Sequence, residues 1–162
     1  MLNQYFKEMC DAVFEFDGTV NKFIGDAVMA IFNAPVNQND AARRAVLTAF
    51  SMRRRLAAMN DIRLKKGEAP IGVGIGIHYG EVVSGNFGSP NQMEYTVIGD
   101  TVNTASRVES LCKELKTDIV ITDVVYQFVK DEVEVVTHPP IQVKGRTVPI
   151  VVHSLLSWKK EV

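Results

Sequence analysis

The sequence predicts one domain that mixes α and β elements, and three observations carry that expectation. The 162 residues leave room for one core of ordinary size. Stretches with helical apolar periodicity are interspersed with short apolar runs of strand length. Neither an internal repeat, nor a low-complexity tract, nor a linker interrupts them. At 46% apolar and 23% charged, the chain has enough hydrophobic material to bury a core.

Leu2, Tyr5, Phe6, Met9 and Val13 recur at helical spacing and predict an opening amphipathic helix that closes near Gly18. Thr19 to Ile24 and Ala27 to Phe32 flank a Gly25-Asp26 pair and read as a tight hairpin. Pro35 breaks the chain. Asp40 is placed to cap a helix running to about Asn60, with Ala45, Val46, Ala49, Met52, Leu56 and Met59 on its inner stripe. Ile71 to Tyr79 reads as a strand, with Glu81 to Phe87 as its hairpin partner and Gly88 to Gln92 as a loop. A strand from Tyr95 to Ile98 leads into a helix from Thr101 to Lys116, capped by Asp100. Further strands are expected at 119–121, 133–136 and 148–156, with a short helix near 123–130.

The charge balance narrows the function. A formal net charge of −1 supplies no general excess of cations to displace counterions from nucleic acid. Cys10 and Cys112 lie far apart, without metal-ligand spacing, which argues against a disulfide framework and for a reducing, cytoplasmic setting. No apolar stretch approaches the roughly 18 residues of a membrane span. The N-terminus lacks the basic-then-apolar order of a secretory signal. Arg43, Arg44, Arg53, Arg54, Arg55, Arg63, Lys65 and Lys66 read as a solvated helix face, and His78, His138 and His153 as structural histidines. Trp158 reads as a packing or terminal residue.

Two segments can carry chemistry. In Asn21 to Ala30, a lysine near the end of an apolar strand precedes a carboxylate at a hairpin tip. Mg²⁺ takes few protein carboxylates and completes its octahedron with phosphate oxygens and water, so an exposed turn aspartate suits it. Read locally, Asp26 is equally a turn residue and Lys22 an edge charge. In Glu94 to Arg107, Asn103 and Arg107 are four residues apart on a helix and share one face. An amide and a guanidinium so placed can hold a sugar oxygen and a phosphate. The local alternative is that Asn103 bonds nearby backbone and Arg107 pairs with an acid such as Glu94.

Taken together, these segments resemble the class III nucleotidyl cyclases. Lys22-Phe23-Ile24-Gly25-Asp26 matches the family's Lys-x-Ile-Gly-Asp segment, and Ile98 to Arg107 matches every fixed position of Ile-Gly-x-x-Val-Asn-x-Ala-x-Arg. Between them, Gly76 to Gly85 is similar to the family's glycine-rich hairpin, and the resemblance runs from Leu2 to about Leu155. It implies an α+β, ferredoxin-like catalytic domain over 1–162, with a mixed, largely antiparallel sheet, helices on one face and the first strand missing. It also implies that Asp26 binds metal, Lys22 and Thr96 read the purine, Asn103 orients the ribose and Arg107 stabilises the transferring phosphate. Arg146, with Lys144 as the nearby fallback, falls where the family binds the terminal phosphates.

The expected activity is conversion of ATP to 3′,5′-cyclic AMP and pyrophosphate for intracellular signalling, using two Mg²⁺ or Mn²⁺ ions. The 3′-hydroxyl attacks the α-phosphate in line. The resemblance places each site between two chains of a head-to-tail homodimer, and sets an upstream sensor domain in the natural protein. Adenine presents a ring acceptor and an amine donor, complementary to a lysine donor and a threonine hydroxyl acceptor. Guanine reverses that pattern and favours a carboxylate where Lys22 stands, which makes a guanylate cyclase the nearest rival. A non-catalytic dimerisation or regulatory module of the same fold is the other. Thr96, where many relatives carry aspartate, resembles the cyanobacterial and soluble bicarbonate-responsive branch.

Two departures qualify the match. The family's opening Phe-x-Asp-Ile-x-Gly-Phe strand, whose aspartate is the first metal ligand, has no counterpart here. Weak or absent activity and altered or swapped dimerisation are therefore expected of this chain. Gly74 stands where some relatives carry a phosphate-binding arginine, which shifts more of the triphosphate onto Arg146.

Overall fold

The apolar stripe of the opening segment folds as helix α1 (Leu2–Glu15), which buries Tyr5, Met9, Ala12 and Val13. The structure is a computed structural model that describes residues 1–159; the last three residues of the expected 1–162 domain lie outside the described residues. The chain divides into two units, Met1–Val73 and Gly74–Val162.

In the first unit, β1 (Thr19–Ile24) and β2 (Ala27–Ile31) form an antiparallel hairpin with Ile24 opposite Ala27, so that Gly25 and Asp26 make the expected two-residue turn. A bulge between Val20 and Lys22 breaks the register, an irregularity that alternation of residue types does not reveal. Helix α2 (Ala41–Lys65) runs a full turn beyond Asn60, because Asp61 to Lys65 contains no helix breaker. Tyr5, Met9 and Met59 form a buried cluster, with Phe6, Val28, Met52 and Leu56 packed against it.

The capping role expected of Asp40 is corrected. It holds the N-cap position but makes no side-chain bond to the helix amides. Its carboxylate instead accepts from Arg44 Nε at 2.6 Å, a charged donor that competes well against a neutral amide. The basic helix face is likewise more than solvated. Arg55 donates to Glu8 at 3.0 Å and to Glu15 at 3.1 Å, and Ser51 donates to Glu15 at 2.7 Å, which ties α2 to α1.

The second unit holds a four-stranded sheet in the order β3-β6-β8-β7, with β3 (Ile75–Ile77), β6 (Ile119–Thr122), β7 (Val133–Thr137) and β8 (Val152–Trp158). The β3–β6 pair is parallel and the other two are antiparallel. Trp158, half-buried, pairs with Val133 at the end of β8. Two helices, α3 (Asp100–Leu115) and α4 (Asp123–Val129), contact this sheet. Val108, Leu111, Cys112, Val120, Val143 and Val152 form its core. Each such aliphatic side chain contributes roughly 1.5–3 kcal/mol on burial. Burial pushes the Cys112 thiol up to about 11.

The expected pairing of strand 71–79 with 81–87 does not form. The first is reduced to the three residues of β3, engaged with β6. The second becomes β4 (Val83–Ser89), which zips onto β5 (Gln92–Ile98) through seven consecutive pairs. Pro90 and Asn91 make the turn between them, so the expected loop is a two-residue reversal. The last strand begins at Val152 rather than Val148, since Pro149 lacks an amide to donate to a ladder.

Candidate functional site

Gly76 sets where α3 can lie. A Cβ on Gly76 would meet the carbonyl oxygen of Ala105 at 2.8 Å and the backbone of Glu109, so β3 and α3 approach without a side chain between them. The start of α3 follows directly from β5 through Gly99, whose φ is 143. Gly99 rather than Asp100 is the N-cap, which corrects the cap assignment. Asp100 lies in the first helical turn, where its charge is favoured by the helix dipole.

Arg107, Arg146 and Asp100 meet on this helix. Arg107 Nη1 lies 4.0 Å from Asp100 Oδ1, and Arg146 Nη1 lies 3.6 Å from Asp100 Oδ2. Arg146 Nη1 also donates to the hydroxyl of Thr104 at 3.3 Å, and that hydroxyl reaches Asp100 Oδ2 at 3.5 Å. Thr104 is fully buried and Asp100 is exposed. The loop carrying Lys144, Gly145 and Arg146 passes over Arg107, with Gly145 at φ 79 against the guanidinium. Arg107 Nη1 is buried without a hydrogen-bond partner among the described residues. A buried charged donor left so costs stability unless an acceptor arrives.

His78 follows β3 and hydrogen-bonds Thr122 Oγ1 through Nδ1 at 3.0 Å. Burial lowers its pKa and Arg146 lowers it further, while Asp100 opposes them. The other histidines are tied into the sheet, His138 to Ser154 at 2.7 Å and His153 between Thr137 and Asp123. All three have the partners a structural role requires.

Of the residues marked in the sequence, Arg107 and Arg146 converge, and Asn103 is exposed one turn before Arg107 on α3. Lys144 is exposed on the same loop as Arg146. Thr96 is buried on β5 opposite Gly85, which puts no side chain across from it. Lys22 and Asp26 belong to the first unit. There Lys22 is half-buried on β1, and Asp26 is exposed at the hairpin tip, close enough to Tyr5 to add to the rise that burial causes in the phenol's pKa.

Asp100, Thr104 and Gly145 escaped sequence reasoning. The signal for the first two was the four-residue spacing that places Thr104 over Asp100 on one helix face, with Arg107 a turn further on. Gly145 carried no signal beyond being a glycine between two basic residues. A Cβ at Gly74 would lie 2.9 Å from Glu109 Oε1 and 3.0 Å from Cys112 Cβ, so this backbone is pressed onto α3 as well.

A family model described as the adenylate and guanylate cyclase catalytic domain matches residues 1–157. Adenylate cyclase 1 of Rhizobium meliloti (strain 1021) is 33% identical over 162 residues, covering 100% of this chain and 24% of that protein. The crystal structure of the adenylyl cyclase CyaB from P. aeruginosa has a TM-score of 0.90 at 30% identity, over 99% of this chain and 83% of that one. That of the guanylyl cyclase Cya2 has a TM-score of 0.85 at 36% identity, over 95% and 77%. The chain spans about a quarter or less of the length of the curated relatives it matches.

Proposed function

Since the chain belongs to the adenylate and guanylate cyclase catalytic domain family, we propose that residues 1–162 form one catalytic domain converting ATP to 3′,5′-cyclic AMP and pyrophosphate. The observation that carries this reading is Arg107 Nη1, buried and without an acceptor beside Arg146. A phosphate oxygen would satisfy it, and a guanidinium held ready in place stabilises charge as it develops at the transferring phosphorus. Asn103, one turn away, would fix the ribose so that its 3′-hydroxyl lies in line with the α-phosphate. Arg146 and Lys144 would take the terminal phosphates that leave as pyrophosphate.

Asp26 fits a divalent ion. It is an exposed carboxylate on a tight turn, and among the described residues no cluster of three or more His, Cys, Asp or Glu offers a closed protein cage. Mg²⁺ or Mn²⁺ held by one such carboxylate would draw its remaining ligands from phosphate and water and, when bound, would supply charge neutralisation at the reacting oxygens.

Two chains are part of the reading. Val83 and Ile98 are cross-strand partners on the β4–β5 hairpin and both are exposed, at 62% and 45%. An apolar pair of that kind is suited to coverage by a second copy, with Lys22 and Asp26 of each chain serving different sites. An upstream sensor domain outside this chain would complete the natural protein.

Lys22 and Thr96 favour adenine, the first as a donor and the second as an acceptor. The rival is GTP, which the relative Cya2 favours through its name as a guanylyl cyclase. Competition of ATP and GTP for a fluorescent nucleotide on the purified chain separates them without requiring turnover. ATP should bind at least ~10-fold tighter, the size of a hydrogen-bond mismatch in a polar site. Equal affinity, or a preference for GTP, defeats the adenylate reading. Failure of both nucleotides to compete defeats the cyclase reading altogether.

A further inference from the structure

We propose that Asp100 is a built-in counter-anion for Arg107 and Arg146, one that yields the two guanidinium groups to the nucleotide's phosphates and thereby limits how tightly pyrophosphate is retained. The inference rests on the reading that these arginines hold phosphates. Three features of the geometry carry it.

The first is placement. Asp100 is the acid that stands between the two arginines, at 4.0 Å from Arg107 and 3.6 Å from Arg146. Two like charges brought together need an anion nearby until substrate arrives.

The second is looseness. Neither separation is that of a direct hydrogen bond, and Arg107 Nη1 stays unsatisfied although Asp100 is its neighbour. Asp100 balances the charge without consuming the donors. A clamp built to orient Arg107 would be shorter and bidentate, as arginine–carboxylate pairs are where position matters.

The third is freedom to withdraw. The Asp100 side chain is 65% exposed, against 30% for Arg107 and 32% for Arg146. It is attached in the first turn of α3, where the helix dipole favours its charge whether or not it faces the arginines. The hydroxyl of Thr104, at 3.5 Å, is a weak tether. Phosphate oxygens entering between the guanidinium groups would meet this carboxylate as a like charge. Its repulsion works against bound pyrophosphate, which carries more charge than the cyclic nucleotide.

Calorimetric titration of inorganic pyrophosphate into the wild-type chain, D100N, D100E and R146A tests this. D100N keeps the shape and removes the charge, and should bind pyrophosphate roughly 10-fold tighter, the scale of one like charge removed from beside the phosphates near a protein surface. D100E should return to within about threefold of wild type, and R146A should bind at least ~10-fold weaker. Tightening, rather than loss, is what a merely structural role of Asp100 would not produce. If R146A weakens binding and D100N leaves it unchanged or weaker, the counter-anion is wrong and the phosphate reading stands. Where R146A binds as wild type does, or wild type takes no pyrophosphate, the phosphate reading itself fails and the inference falls with it.

Discussion

Gly145 lies against the guanidinium of Arg107, close enough that a Cβ there would stand 3.0 Å from Nη2 and 3.3 Å from Nη1. The contact is made possible by a backbone with φ 79, which side chains rarely adopt. Gly145→Ala should therefore displace the arginine and strain the loop at once. Steady-state kinetics should give a kcat reduced about 10- to 100-fold by misplacement of a charged group. Thermal unfolding should show a loss of about 1–2 kcal/mol from the left-handed backbone.

Arg107→Ala should separate function from stability. Turnover should fall ~10²–10³-fold, as when one transition-state donor is removed. Stability should hold or rise slightly, because the variant also removes a buried donor that has no acceptor. A melting temperature that dropped together with kcat would point to a structural arginine instead.

Exchanging Lys22 for glutamate tests the base-reading assignment. K22E offers guanine an acceptor and denies adenine a donor. The ratio of ATP to GTP in kcat/KM should fall at least ~10-fold, the scale of discrimination by paired polar groups. An unchanged ratio removes Lys22 from base reading.

Acid should weaken the α1–α2 contact. The hydrogen bond from Ser51 and the charge of Arg55 hold the Glu15 carboxyl below its ordinary value. A depressed folded-state pKa contributes stability above the unfolded value of about 4.3, and that contribution is lost as pH falls through the lower folded value. E15Q should therefore be about 1 kcal/mol less stable than wild type at pH 7, a modest figure for a half-exposed charge network. Denaturant titrations should show the difference shrinking as pH falls below the unfolded value of about 4.3 and vanishing once it passes the lower folded-state value.

Gly76→Ala should be a harsh single-methyl change in the second unit, since the added carbon meets the backbone of α3 rather than a movable side chain. A loss of about 3 kcal/mol or more is expected, the upper range for overpacking a close contact. Far-ultraviolet circular dichroism during urea unfolding measures it.

Much of this was legible in the residues themselves. The Gly25-Asp26 hairpin formed where its flanking apolar runs placed it, and α3 put Asn103 and Arg107 one turn apart as their spacing required. Local rules failed where long-range pairing competed. Val83 to Ser89 had two possible partners, and Gln92 to Ile98 won because a two-residue turn brings it back in register, whereas β3 is taken by β6 across the intervening helix. Asp40 and Asp100 both looked like caps, and both instead stand beside arginines, which no propensity rule ranks against a backbone amide. The meeting of Arg146 with Thr104, 42 residues apart, is a product of tertiary folding alone.

Thr96 and Asn103 are joined by one short run of chain that passes from β5 into α3 through Gly99. With Gly99 at φ 143, a backbone that side chains rarely adopt, a larger residue at that bend would disturb the end of β5 and the start of α3 together.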